Sequence, residues 1–257
     1  MLEGRELSKH YGKRTVVNGV SYHVNPGEIV GLLGKNGAGK TTTFMISVGL
    51  IKPDSGNVYL NNVKITNLPM YKRARMGIGY LPQETSVFRG LTARQNILSV
   101  TEMTGMPRSE RKSRTEELIK SLGLQKVQNN TASSLSGGEK RRLEIARALI
   151  TNPSVLLLDE PFTGIDPLTV AEVKAIVVGL VQRNLGVLIT DHNVRDTLSI
   201  TDRAYILEDG KILASGTPLE LIHNKTVCEA YLGEDFSTSL QEEIEHWKVH
   251  KIEKKAE

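Results

Sequence analysis

The 257-residue chain sets 33 lysines and arginines against 29 acidic residues, and the net charge of +4 is spread along its length, so no footprint of a dedicated nucleic-acid binder is present. With 39% hydrophobic and 24% charged residues it reads as an ordinary globular protein, long enough for one large or two small domains with a sizeable core. One cysteine, Cys228, excludes an intrachain disulfide and fits a reducing compartment. The start, Met1 to Arg5, lacks the layout of a signal peptide, and no apolar run approaches the ~20 residues that cross a bilayer. The expectation is a cytosolic protein, free to dock on a membrane partner.

From Leu2 to Val24 the pattern favours strands, with a turn at Tyr11-Gly12 and a second at Asn25-Pro26-Gly27. An apolar run through Val30, Leu32 and Leu33 reads as a buried strand, and Phe44, Ile46, Val48 and Leu50 suit a buried helix ending near Gly49. Between them lies G-x-x-x-x-G-K-T, with Gly34, Lys35, Asn36, Gly37, Ala38, Gly39, Lys40, Thr41 and Thr42 in sequence. Its glycines let successive N–H groups turn toward a β-phosphate, and the positive end of the helix adds to the pull. Lys40 reaches the β- and γ-oxygens, and Thr41 offers a hydroxyl to Mg²⁺. The bland alternative is a Gly-rich turn before a helix, against which the preceding strand and following helix argue.

Pro53 to Gly56 is a turn, Val58-Tyr59-Leu60 a strand, Pro69 to Arg75 a short basic helix, and Ile78 to Leu81 another buried strand. Thr92 can cap a helix closed by Gly105-Met106-Pro107; Arg108 to Leu122 is a charged helix buried along Leu118, Ile119 and Leu122. A third helix opens at Leu135-Ser136-Gly137-Gly138-Glu139 and stops at Asn152-Pro153. Three helices without a strand, set between β-α-β segments, read as a helical subdomain inserted at roughly residues 83–152. The alternation returns with Val155 to Asp159, apolar on both faces as a central parallel strand should be. A helix from Pro167 to Arg183 follows, then the strand Val187 to Thr190, and Asp209-Gly210 joins two strands as a hairpin. The domain expected over residues 1–236 is followed by a charged tail over 237–257, with a capping box at Ser239 and Glu242 and Leu240, Ile244 and Trp247 at helical spacing. Such a tail is a solvated or partner-docking helix more often than a site.

Asp159 and Glu160 end the apolar strand with two carboxylates aimed at one place. Asp159 suits the hydration shell of Mg²⁺, and Glu160 suits polarising an attacking water; the bland reading is a strand-end acidic pair. Ser136 is a candidate N-cap, and Gly137 and Gly138 leave backbone N–H groups bare at a positive helix end, a second anion-binding device. One nucleotide site does not need two of them. A two-fold dimer brings one copy's Ser136 helix over the other's phosphate loop. Gln83 can ligand Mg²⁺ through its amide oxygen, His192 can touch a γ-phosphate, and Tyr11 can stack on adenine; taken singly, each is as readily an ordinary surface polar or strand-edge aromatic residue.

The ordered set Tyr11, Gly34 to Thr42, Gln83, Leu135 to Glu139, Leu156 to Glu160, Gly164-Ile165-Asp166 and His192 resembles the nucleotide-binding subunits of ABC transporters, from about Leu2 to Phe236. The resemblance implies an α/β fold, a P-loop NTPase core of ABC type with an antiparallel β portion and an inserted helical subdomain. It also implies ATP held with Mg²⁺ between two copies of the chain, closing on binding, opening after hydrolysis and driving integral membrane subunits; no nucleic acid is implied. Tyr80 to Glu84, Ser86 to Thr92, Asp191 to Leu198, Thr201 to Tyr205 and Tyr231 to Phe236 resemble, more narrowly, the lipopolysaccharide-export ATPases, which work as homodimers on the cytoplasmic face of the inner membrane. The ATPases of branched-chain amino-acid importers are the nearest competitor. Two further classes stand against a transport ATPase: a soluble ABC ATPase, and a sensor that binds ATP without turnover, which the presence of both Glu160 and His192 argues against.

Overall fold

A computed structural model describes residues 1–232 together with Leu240, Gln241, Glu243, Ile244 and Trp247. The capping box expected at Ser239 and Glu242 lies outside the described residues, as does the rest of the tail beyond those five positions.

The chain opens as one long hairpin, β1 (Leu2–Tyr11) and β2 (Arg14–Val24), turning at Gly12 and Lys13. Strands β4 (Ser55–Leu60) and β5 (Val63–Lys64) complete an antiparallel sheet in the order β2-β1-β4-β5. The second sheet holds six strands, β10-β9-β3-β8-β7-β6. In it β3 (Ile29–Gly34), β6 (Ile78–Leu81), β7 (Val155–Asp159), β8 (Gly186–Thr190) and β9 (Arg203–Glu208) run parallel, and β10 (Lys211–Gly216) closes one edge antiparallel. β3, β7 and β8 are buried along their whole length, which accounts for their unbroken apolar runs.

Helix α1 (Lys40–Val48) lies between the sheets, with Phe44, Ile46 and Val48 fully buried against Leu2, Val30, Leu32 and Leu157. Burying a side chain of this size contributes about 1.5–3 kcal/mol. Helix α2 (Met70–Arg75) packs its Arg73 inward rather than into solvent: the side chain is 1% exposed. Its guanidinium donates to the carbonyls of Ile46 (2.7 Å), Ser47 (2.8 Å), Thr66 (2.9 Å) and Leu68 (2.9 Å), so a cation sits at the negative end of α1 and occupies its orphan acceptors.

Between β6 and β7 come α3 (Ala93–Met103), α4 (Arg108–Ser121) and α5 (Gly137–Ala148). α3 begins with a capping box of Thr92 and Gln95, and Leu118, Ile119 and Leu122 are buried along α4 with Leu143 and Ala146 of α5. After β7, helix α6 (Pro167–Val181) starts at an Asp166 cap with proline in its first turn. Helix α7 (Val194–Ile200), capped by Asn193, and helix α8 (Pro218–Ile222), capped by Thr217, cover the far side of β9. Neither short helix is announced by the apolar pattern, because seven and five residues are too few for a 3.6-residue period to show. Among the described residues no helix is long and apolar enough to cross a membrane.

Candidate functional site

The phosphate loop leaves β3 at Gly34 and enters α1 at Lys40. Two glycines are required by space as well as by backbone angle. Gly34 has φ 146° and Gly39 φ 99°; a Cβ on the first would lie 2.2 Å from the Leu207 carbonyl oxygen, and on the second 2.5 Å from that of Val16. Lys40 is 7% exposed and donates to the carbonyls of Gly34 (2.5 Å) and Lys35 (3.0 Å) of its own loop. Burial holds its ammonium below the usual lysine range, while the Glu160 and Asp191 carboxylates pull the other way. Thr41 is exposed at the first turn of α1.

The carboxylates arrive from the ends of β7 and β8. Asp159 closes β7 in register with Thr190 and is 3% exposed. Burial, together with the Glu160 and Asp191 carboxylates, pushes its carboxyl up to about 6. Glu160 adopts φ 45°, a left-handed conformation that costs a non-glycine residue about 1–3 kcal/mol. A 2.6 Å bond from its N–H to the Thr190 carbonyl ties it there. The turn aims its carboxylate at three partners: Oε2 accepts from Gln83 Nε2 (2.9 Å) and Thr163 Oγ1 (3.1 Å) and lies 3.2 Å from His192 Nδ1. Because the Gln83 amide nitrogen is spent on Glu160, its oxygen remains as the group for a cation.

Thus Lys40, Gln83, Asp159, Glu160 and His192 converge at the carboxyl ends of the parallel strands, where ligands sit in open α/β sheets. Ser136 does not join them. It caps α5 through a box with Glu139, accepting from the Glu139 N–H (3.2 Å) and donating its own N–H to that carboxylate (2.8 Å). Ser136 and Gly137 are exposed, and a Cβ on Gly137 would meet no atom within 4 Å, so the first residue of the helix is bare toward solvent. Gly138, expected to be bare as well, is buried, with Thr169 of α6 3.1 Å from where a Cβ would stand. Tyr11 stands half exposed at the tip of the β1–β2 hairpin, with the Lys9 ammonium 5.7 Å from its ring.

Three further groups at the site have no role assigned by the sequence motifs. Arg141, 6% exposed on α5, pairs with Glu144 (3.1 Å) and reaches the carbonyls of Pro82 (3.3 Å) and Glu160 (3.4 Å). Thr163 sits between Glu160 and His192, 3.3 Å from the imidazole. Asp191, fully buried, accepts from the N–H groups of Phe162 (3.0 Å) and Asn193 (2.8 Å), fixing the segments on both sides of the site. Each depends on a contact across the fold; only the position of Asp191 beside His192 hints at its part.

The donors suit a hard cation that brings its own ligands: a threonine hydroxyl, an amide oxygen and one carboxylate. Among the described residues no three His, Cys, Asp or Glu side chains gather to hold a metal by themselves. That donor set fits a metal bound chiefly through phosphate oxygens.

The family model for ABC transporters matches residues 17–163. The chain belongs to the ABC transporter ATP-binding family. This ABC ATPase is 52% identical over 236 residues to the lipopolysaccharide export system ATP-binding protein LptB of Acidithiobacillus ferridurans, covering 92% of this chain and 98% of that one. It is 49% identical to LptB of Escherichia coli K12, with 91% and 98% covered. Of solved structures, it is similar to the ADP conformation of an ATP-binding cassette of an ABC transporter, with TM-score 0.82 and 28% identity over 91% of this chain and 99% of that one. It is also similar to a dimeric post-hydrolysis cassette bound to ADP and Pi, with TM-score 0.74 and 28% identity over 85% and 99%.

Proposed function

We propose that two copies of the chain bind Mg-ATP head to tail and hydrolyse it to power lipopolysaccharide export, from the cytoplasmic face of the inner membrane and with integral membrane subunits. The observation that carries the hydrolytic part is the strained Glu160 turn, which brings one carboxylate within hydrogen-bond reach of Gln83, Thr163 and His192. The transport part rests on two LptB proteins that share about half their residues with this chain along nearly their whole length.

On this reading the loop N–H groups from Gly34 to Gly39 cradle the β-phosphate. Lys40 exchanges its two loop carbonyls for β- and γ-oxygens. Tyr11 stacks on the adenine. Thr41, Gln83 and Asp159 would hold Mg²⁺, whose chemistry is to neutralise charge on the β- and γ-oxygens. Glu160 accepts the proton of the attacking water while Gln83 and Thr163 fix its orientation, and His192 contacts the γ-phosphate. Ser136, Gly137 and Gly138 of the partner subunit complete the cradle, which gives the bare end of α5 a ligand that a lone copy does not present to it.

The test of the transport reading is purification of the tagged chain from its own membranes, followed by reconstitution with the proteins that accompany it. The reading predicts integral membrane partners and ATP-dependent release of lipopolysaccharide from proteoliposomes. ATP-dependent movement of a small solute such as an amino acid, or recovery without any membrane protein, contradicts it.

A further inference from the structure

Of the five described residues beyond position 232, three meet the catalytic unit through an apolar seat, and one of the contacts there is with a buried cation. Leu240 and Ile244, 0% and 1% exposed, enter the apolar cluster of Leu198, Ile206, Leu221 and Ile222, and Glu243 pairs with Arg195 at 2.9 Å. These contacts bring Trp247 against the larger core, its ring 5.9 Å from the ammonium of Lys174. Lys174 projects from α6 and is 5% exposed. It donates to Asp196 Oδ1 (2.6 Å) and Ser199 Oγ (3.0 Å) on α7, and the ring of Phe162 lies 6.0 Å from the same nitrogen.

Two of the groups around Lys174, Phe162 and Asp196, flank the reacting groups. Phe162 follows Glu160 by two residues, and its N–H is held by Asp191. Asp196 is bound to the Asn193 cap, and Asn193 in turn donates its N–H to Asp191. His192 lies between these two anchored residues. A cation with aromatic faces over it prefers to keep its place, and screening by Trp247 strengthens its bond to Asp196.

We propose that Lys174, covered by Trp247, is a positioning residue that keeps the His192 loop and the turn after Glu160 in register, so that the C-terminal segment sets the rate of hydrolysis without touching nucleotide. This rests on the roles given above to Glu160 and His192. A plain structural ion pair between α6 and α7, with Phe162 and Trp247 serving only as core, is the alternative, and it leaves kcat per nucleotide site indifferent to the ring at position 247.

The test uses the full chain and its single tryptophan. Rates of phosphate release are divided by the number of nucleotide sites counted in the same sample, so loss of folded protein drops out. Trp247→Ala lowers kcat about 10-fold with KM for ATP held within about twofold, since small misplacements of catalytic groups act on the chemical step. Trp247→Phe, which keeps a ring over the ammonium, restores most of the rate. Lys174→Met combined with Trp247→Ala is no slower than Lys174→Met alone, because both changes break one link. Trp247 emission changes on addition of Mg-ATP in the wild type and in Glu160→Gln, and this response is lost in Lys174→Met although nucleotide still binds. Wild-type kcat in Trp247→Ala, additive losses in the pair, or no difference between Phe and Ala at 247 overturns the proposal. Normal turnover in Glu160→Gln overturns instead the reading of the site on which the proposal stands.

Discussion

The ammonium of Lys40 ties the loop together through the carbonyls of Gly34 and Lys35, the two bonds that the proposed function hands to phosphate oxygens. Lys40→Ala is predicted to abolish tight ATP binding and hydrolysis together, read by equilibrium nucleotide binding and phosphate release; normal turnover in that variant removes the phosphate-loop assignment. Asp159 gives a prediction of opposite sign for stability and for activity. Its carboxyl, ordinarily near 3.8, is raised to about 6 in the folded protein, so above about pH 6 the nucleotide-free protein carries an ionised carboxylate that the unfolded chain holds more easily. The cost is about 3 kcal/mol at neutral pH, and it is relieved as pH falls from about 6 toward 4. Asp159→Asn is therefore predicted to stabilise the nucleotide-free protein by up to about 3 kcal/mol at neutral pH, with the gain shrinking on acidification, while Mg-dependent turnover is lost. Denaturant unfolding of the two proteins at pH values on either side of 6 checks it, and equal stability at neutral pH contradicts it.

At the scale of elements, α1 is anchored at both ends: by the glycines that lead into it and by Arg73 beneath its last carbonyls. Arg73→Met would leave the Ile46, Ser47, Thr66 and Leu68 carbonyls without that donor, and a loss of about 3 kcal/mol or more is predicted, visible as a fall in melting temperature of several degrees. An unchanged melting temperature would mean that water replaces the guanidinium without cost. The loop before α3 carries a different prediction. Phe88 is half exposed, with the Arg147 guanidinium 4.9 Å over its ring, and buried Asn96 bonds its N–H and carbonyl at 2.8 and 3.0 Å. A fixed loop presenting an aromatic and the neighbouring Arg89 is suited to receive a helix of a membrane subunit. Phe88→Ala and Arg89→Ala are expected to impair assembly with ATP binding intact, measured by co-purification; full assembly of both variants places docking elsewhere. What the sequence made legible at this scale was local. Thr92 and Ser136 act through cap chemistry within a few residues, the turns at Gly34 and Gly39 show in the motif although the carbonyls of Leu207 and Val16 that crowd them do not, and β7 shows its burial in its own apolar run. Arg73, Arg141, Thr163 and Asp191 were illegible because the Ile46, Pro82, His192 and Phe162 that they meet lie far off in sequence, so that a basic residue in a basic helix gives no sign of facing inward.

For the whole molecule, the arrangement makes sense only as a pair. The phosphate loop and the Glu160 turn share one face, while the cap at Ser136 and Gly137 stays bare with its bonds confined to α5. The similar dimeric cassette bound to ADP and Pi agrees with such a pairing. If Glu160 drives hydrolysis in a site closed by the second copy, Glu160→Gln separates turnover from binding and closure. Loss of a general base costs ~10²–10⁴ in rate, about 3 to 5.5 kcal/mol of barrier. ATP affinity should survive, because Lys40, Thr41 and the loop backbone are untouched, and mass action then favours the closed dimer. The measurement is light scattering of Glu160→Gln with and without Mg-ATP, alongside phosphate release. Glu160→Gln is expected to be inactive, to bind ATP and to become a dimer only when ATP is present; hydrolysis at the wild-type rate would remove Glu160 as the base, and ATP binding by a protein that stays monomeric at high concentration would remove the closed pair.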